Sequence, residues 1–87
     1  MNIEFAKSLS GHDKNQVYLI WKKEEQFVWL VNGKNHTIEK PKKKNTKHFQ
    51  IVKNIPEIVK EWLNENTILT DDTIRQVIKV YERSINK

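Results

Sequence analysis

A chain of 87 residues, 37% hydrophobic and 31% charged, has enough length for one modest core and none to spare for a deep substrate cavity. It contains no cysteine, which excludes disulfides, thiolate-bound zinc and a cysteine nucleophile. Its formal charge of +5 is unevenly placed: residues 34–53 hold seven lysines against one acid, Glu39, a net of +6, while the rest of the chain holds nine basic and ten acidic side chains.

Over residues 2–9, Ile3, Phe5 and Leu9 recur at even spacing and predict a first strand whose apolar face is interrupted by Lys7. Ser10-Gly11-His12-Asp13-Lys14-Asn15 follows as a turn, in which Gly11 permits a positive φ and Asp13 can bond its own backbone. Residues 17–21 predict a second strand, with Val17, Leu19 and Trp21 on one face and Tyr18 and Ile20 on the other, so both faces need cover. The polar residues 22–26 turn the chain into a third strand over 27–31. Asn32-Gly33 then predicts a type I′ turn and a fourth strand over about 35–39. After Lys40-Pro41, the run Lys42-Lys43-Lys44-Asn45-Thr46 reads as a solvated loop, and Phe49, Ile51 and Val52 as a short fifth strand.

The C-terminal third changes period. Asn54-Ile55-Pro56-Glu57 reads as a helix start capped by Asn54, with Ile58, Val59, Trp62 and Leu63 on one face. Thr70-Asp71-Asp72 starts a second helix with Ile74, Val77, Ile78, Tyr81 and Ile85 at helical spacing. The expected fold is mostly β: a small five-stranded SH3-like barrel over residues 1–53, and a two-helix extension of the same domain over 54–87 that packs on the barrel or on itself. No apolar run approaches the ~18 residues of a membrane span, and the first residues lack the pattern of a signal peptide. The expected address is the cytoplasm, with no membrane partner.

Little in the chain resembles catalytic machinery. Ser8, Ser10 and Ser84 lack a G-x-S-x-G setting, and Gly11 and Gly33 are too few for a phosphate loop. His12, His36 and His48 lack metal-ligand spacing, and Asp13 beside His12 reads as a turn carboxylate bonding backbone amides rather than as half of a dyad. The expectation is therefore a non-enzymatic protein with no cofactor, metal or small-molecule substrate. That leaves Lys40-Pro41-Lys42-Lys43-Lys44-Asn45-Thr46-Lys47-His48. It is either a merely solubilising loop or a set of ammonium groups presented to a polyanion on a frame stiffened by Pro41. Contacts to ~5 phosphates would give a log–log salt slope of roughly −4. Trp21, Phe27 and Trp29 read as core rather than as a stacking platform, leaving Tyr18 as the better candidate to stack a base and His36 and His48 as weaker ones.

Two stretches are similar to a known family. Gly11-His12-Asp13-Lys14 before a β-rich strand resembles the glycine turn of the KOW motif. Val31-Asn32-Gly33-Lys34, with Ile38-Glu39-Lys40-Pro41-Lys42-Lys43-Lys44-Asn45 and Lys47-His48-Phe49, resembles the basic box of bacterial KOW-domain RNA-binding proteins, which are related to SH3-like-barrel proteins of the archaeal and eukaryotic large ribosomal subunit. The resemblance covers roughly residues 2–52. It implies an SH3-like barrel and RNA contact through His12, Lys14, Lys34, Lys40, Lys42, Lys43, Lys44, Lys47 and His48. Asn15 stands where that pattern has glycine, and asparagine tolerates the same left-handed backbone; His12 stands where arginine is usual.

The expected function is binding of structured RNA, ribosomal by the resemblance, through phosphate contacts. The alternatives are a protein-interaction module using the barrel and helices, with a ribosomal or other protein as partner, and, more weakly, duplex-DNA binding. On the first reading, replacing Lys42, Lys43 and Lys44 with glutamine weakens RNA binding at little cost in stability. That reading requires the ammonium groups to be gathered on one side and free of carboxylates.

Overall fold

The computed structural model describes residues 3–66 and 68–85, so the expected strand start at Asn2 lies outside the described residues. Five strands, β1 (Phe5–Ser8), β2 (Val17–Lys23), β3 (Phe27–Val31), β4 (Lys42–Asn45) and β5 (Phe49–Val52), form one antiparallel sheet in the order β4-β3-β2-β1-β5. The helices α1 (Glu57–Glu65) and α2 (Asp71–Ile85) follow. The sheet has the small SH3-like layout expected, but it does not close: β4 and β5, its two outermost strands, are joined by a single 3-10 turn, Thr46–His48. Among the described residues no helix is long and apolar enough to cross a membrane.

Strand alternation divides the apolar residues between two clusters. On one face Ala6, Tyr18, Val28, Leu30 and Phe49 pack together with the partly buried Ile20 and Ile51. On the other, Phe5, Val17, Leu19 and Val31 meet Val59 of α1 and Ile74, Val77, Ile78 and Tyr81 of α2. The Phe5 and Tyr81 rings stack with centroids 5.1 Å apart, fixing α2 over β1. The expectation that β2 needs cover on both faces therefore holds for its first half, where Tyr18 and Leu19 are each 1% exposed.

Helix α2 begins as its sequence predicts. Thr70 and Thr73 exchange hydrogen bonds, Thr73 N donating to Thr70 Oγ1 at 3.2 Å and Thr70 N to Thr73 Oγ1 at 2.7 Å, and Asp71 and Asp72 sit in the first turn, where the helix dipole favours negative charge. Helix α1 begins differently: Pro56 is the residue before the first turn and makes no side-chain cap bond, so Asn54 is not the cap. Pro56 instead offers its carbonyl to Val59 N and Lys60 N, at 3.0 and 3.2 Å.

Several expected positions are corrected. Leu9, Ile58 and Ile85 are exposed rather than part of an apolar face, Ile58 at 57%. No strand forms over 35–39, and Asn32-Gly33 does not turn a hairpin. Asn32 Oδ1 accepts from Lys34 N and His36 N, which winds residues 32–36 into a compact loop. Gly33 is buried with φ +76°, and a Cβ there would run into the Asp71 carbonyl oxygen and the Arg75 side chain; Arg75 Nη1 donates to Gly33 O at 3.1 Å. Its glycine is required for seating α2 against the sheet. Asp71 Oδ1 also accepts from Ile38 N at 3.0 Å, tying the same loop to the helix start.

The fourth strand is the lysine run itself. Lys42, Lys43, Lys44 and Asn45 pair with Leu30, Trp29, Val28 and Phe27 of β3, so residues expected to form a solvated loop are ladder residues. A lysine can do this because its four-carbon stem lies along apolar surface while its ammonium reaches a polar partner.

Candidate nucleic-acid interface

The glycine turn, the loop after β3, strand β4 and the 3-10 turn come together around a cleft of about 510 Å³, whose lining includes Gly11, His12, Asp13, His36, Lys42 and His48. The turn is held by backbone bonds from Asn15 N to Ser8 O at 2.9 Å and from Gln16 N to Asp13 O at 2.9 Å. Gly11 has φ +86° and Asn15 φ +74°, so both take the left-handed backbone expected of them. His48 joins the turn through its carbonyl, which accepts from Leu9 N at 2.9 Å, and through Nδ1, 3.4 Å from Ser10 Oγ.

Asp13 is the centre of this arrangement. Its carboxylate accepts from Ser8 Oγ at 2.9 Å, Tyr18 Oη at 2.8 Å, Lys42 Nζ at 2.8 Å and Lys44 Nζ at 3.4 Å. Ser8, wholly buried, also accepts from Lys44 Nζ at 2.7 Å. Asp13 therefore bonds side chains from β1, β2 and β4, not the backbone amides of its own turn as its sequence context implied. Burial alone would push its carboxyl up, but the hydrogen bonds from Lys42, Tyr18 and Ser8, with the charge of Lys42, outweigh that and hold it well below the usual carboxylate range. Burial and the Asp13 hydrogen bond raise the Tyr18 phenol, which stays a donor.

Because β4 is a strand, its lysines alternate. Lys42 and Lys44, opposite Leu30 and Val28, share the face that leads to Asp13, with side chains 31% and 12% exposed. Lys43, opposite Trp29, lies on the other face, its ammonium 4.3 Å from the Phe27 ring centroid and 5.6 Å from that of Trp29. The triple lysine therefore does not meet the condition set for it, ammonium groups gathered on one side and free of carboxylates: two members are paired with a carboxylate and the third points elsewhere, so a phosphate-binding role cannot rest on this run by itself. Two ammonium groups against one carboxylate still leave the cleft with a net positive charge. Lys14, Lys34, Lys40 and Lys47 are exposed, as are His12 and His48, and among the described residues none of these four lysines is within ion-pair distance of a carboxylate.

The stacking candidates fare differently from expectation. Tyr18 is 1% exposed, so its ring offers no face to a base. His36 lies against that ring, centroids 5.9 Å apart at 57°; burial, followed by the charge of Lys42, lowers its pKa, so the ring stays neutral. Trp21, expected in the core, is 41% exposed because the sheet slips register between Ile20 and Lys22: Ile20 pairs with Leu30, Lys22 with Trp29, and Trp21 bulges out between them. Phe27 and Trp29 are half-buried and belong to neither core cluster. Gln16 and Asn35, which the sequence did not single out, and Ser8 and Ser10, which it raised only as nucleophiles, take part in the cleft or its support. Among the described residues no group of three or more histidine, aspartate or glutamate side chains is placed to hold a metal ion.

Neither the protein-family models nor the curated proteins compared with the chain give a match.

Proposed function

We propose that this chain is a non-catalytic RNA-binding protein of the cytoplasm, which holds the phosphates of structured RNA at the cleft between its glycine turn and β4. The carrying observation is convergence: Ser10, Gly11, His12, Asp13 and Gln16 of the glycine turn, Asn35 and His36 of the loop after β3, and Lys42, Lys44 and His48, all separated in sequence, line one open cleft with an excess of ammonium over carboxylate. The free cations adjoin it in the chain. Lys14 follows Asp13, Lys34 precedes Asn35, and Lys47 precedes His48. A polyanion laid across such a group gains from release of its counterions. The Asp13 network supports this role by fixing the turn and β4 in place, so that the flanking lysines are presented on a braced frame. The likeness of the glycine turn and basic box to KOW-domain proteins points the same way and makes ribosomal RNA the first candidate.

The test uses a variant with Lys14, Lys34, Lys40 and Lys47 changed to glutamine, which leaves the Asp13 network intact. Ribosomal RNA binding should weaken, and the log–log salt slope should become shallower by about 3. The wild-type chain should co-sediment with ribosomes until nuclease is added. Unchanged affinity and slope in the variant would overturn the proposal, and so would a nuclease-resistant complex with a protein.

A further inference from the structure

The helices cover only part of the outer sheet face. They bury Phe5, Val17, Leu19 and Val31, and leave uncovered the end of β2, the start of β3 and β4. There three aromatic residues, Trp21, Phe27 and Trp29, belong to neither core cluster, a poor use of large apolar rings in a chain with so small a core. Two lysines flank them. In the ladder Trp29 lies between Lys22 of β2 and Lys43 of β4, with Lys22 Nζ 4.6 Å from its ring centroid. Lys43 reaches Phe27 and Trp29, as described. The bulge sets Trp21 beside Lys22 opposite the same tryptophan.

We infer that this strip, Trp29 and Phe27 between Lys22 and Lys43 with Trp21 at its margin, is a contact surface for single-stranded nucleic acid, separate from the cleft and on the other face of the sheet. Planar π faces alternate with mobile cations at strand spacing, which suits unpaired bases on the rings and phosphates on the ammonium groups. Lys22 has Glu24 as an exposed partner at 3.3 Å, whereas Lys43 has no carboxylate within ion-pair distance among the described residues. Both lysines now rest on the rings. An exposed cation–π contact is worth less than a base stacked on an aromatic side chain, so an arriving base displaces the ammonium group, which then has a phosphate to bind. An acidic protein segment would use the cations but gives no reason for the rings. A duplex, with its bases already stacked, could not use them either.

The experiment follows the three indole N–H signals of the folded chain, from Trp21, Trp29 and Trp62, during titration with a single-stranded RNA of about twelve nucleotides. Parallel titrations use the same strand in a blunt duplex and polyglutamate. The single strand should shift Trp29 and Trp21 and leave Trp62, which packs in the helix-side core, unmoved. Changing Lys43 to glutamine, or Trp29 to leucine in a variant whose core spectrum is unchanged, should weaken that binding by about 5- to 100-fold. The glutamine variant of Lys14, Lys34, Lys40 and Lys47 should keep the Trp29 shift, so failure of the cleft reading and failure of this one give different results. The inference is overturned if the single strand leaves Trp29 unshifted, or if the duplex or polyglutamate shifts it equally.

Discussion

Changing Asp13 to asparagine tests the central network most directly, because it keeps shape and removes one charge. The wild-type carboxylate receives two hydroxyls and two ammonium groups. In the variant one oxygen becomes an amide donor facing donors, and the ammonium groups of Lys42 and Lys44 lose their counter-charge. Breaking a fully buried pair by removing one partner costs ~3–5 kcal/mol. Here Asp13 is 14% exposed and Lys42 31%, so water offsets part of that, and the lower end, about 3 kcal/mol, is the expected loss. A domain of this size is stable by only ~5–10 kcal/mol, and its melting temperature moves ~4–8 °C per kcal/mol, so the variant should melt roughly 12–24 °C lower. Circular dichroism during heating and in urea measures both quantities. Adding Lys44→Met to Asp13→Asn should cost less than the two single changes together, since the pair is coupled. A loss below ~0.5 kcal/mol for Asp13→Asn would refute the view that this carboxylate braces the turn against β4.

Acid should destabilise the protein in two stages. The His36 pKa is lowered from 6.5 on folding, so below about that pH the unfolded chain takes up a proton that the folded one refuses, and stability declines as pH falls toward the folded value. Asp13 behaves likewise below its ordinary value of 3.8, so urea midpoints should drop again there, less steeply in Asp13→Asn; a midpoint that rises on acidification would contradict both. Changing Gly33 to alanine forces a Cβ against α2 at a positive φ and should cost ~2–4 kcal/mol, seen as a lower urea midpoint with exchange-exposed amides at the start of α2. At Asn15, alanine should cost ~1 kcal/mol while glycine matches or exceeds the native stability; equal stability of all three would remove the strain assigned to its φ of +74°. Glutamine at Lys42, Lys43 and Lys44 together, which the sequence alone predicts to cost little stability, should instead lower the melting temperature markedly, whereas Lys43→Gln alone should not, because only Lys42 and Lys44 bond Asp13.

The order of elements could be read from the chain because period carries it: alternation in β1 to β3, the return of Phe49 and Ile51, and helical spacing from Ile74 to Tyr81. Sequence and structure part where local chemistry and tertiary partner disagree. Asn32-Gly33 has the composition of a hairpin turn, yet Gly33 is needed where α2 meets the loop, a contact made by residues some forty positions away. Three consecutive lysines look unable to enter a sheet, because composition does not reveal that Asp13, Ser8 and the Val28 and Leu30 ladder receive them. One signal was available: Lys42 and Lys44 are two apart, the spacing that puts both on one face of a strand, and the glycine turn contains a single acid to meet them. Trp21 leaves the core face that its alternation predicts because a bulge shifts the pattern by one, and no residue around Ile20 announces it. The residues of the cleft were mostly legible; what each one bonds was not.

Strand β4 is also one of the two edges of the open sheet, with its outward row of backbone donors and acceptors available for pairing. An edge of alternating apolar residues would invite a second molecule to add its own strand and begin an aggregate. Here such an approach would set the Lys43 ammonium groups of two molecules near one another, without a carboxylate within ion-pair distance of Lys43 among the described residues, while Lys42 and Lys44 stay turned toward Asp13. A charge at the middle of the edge strand works against a second chain extending the sheet there.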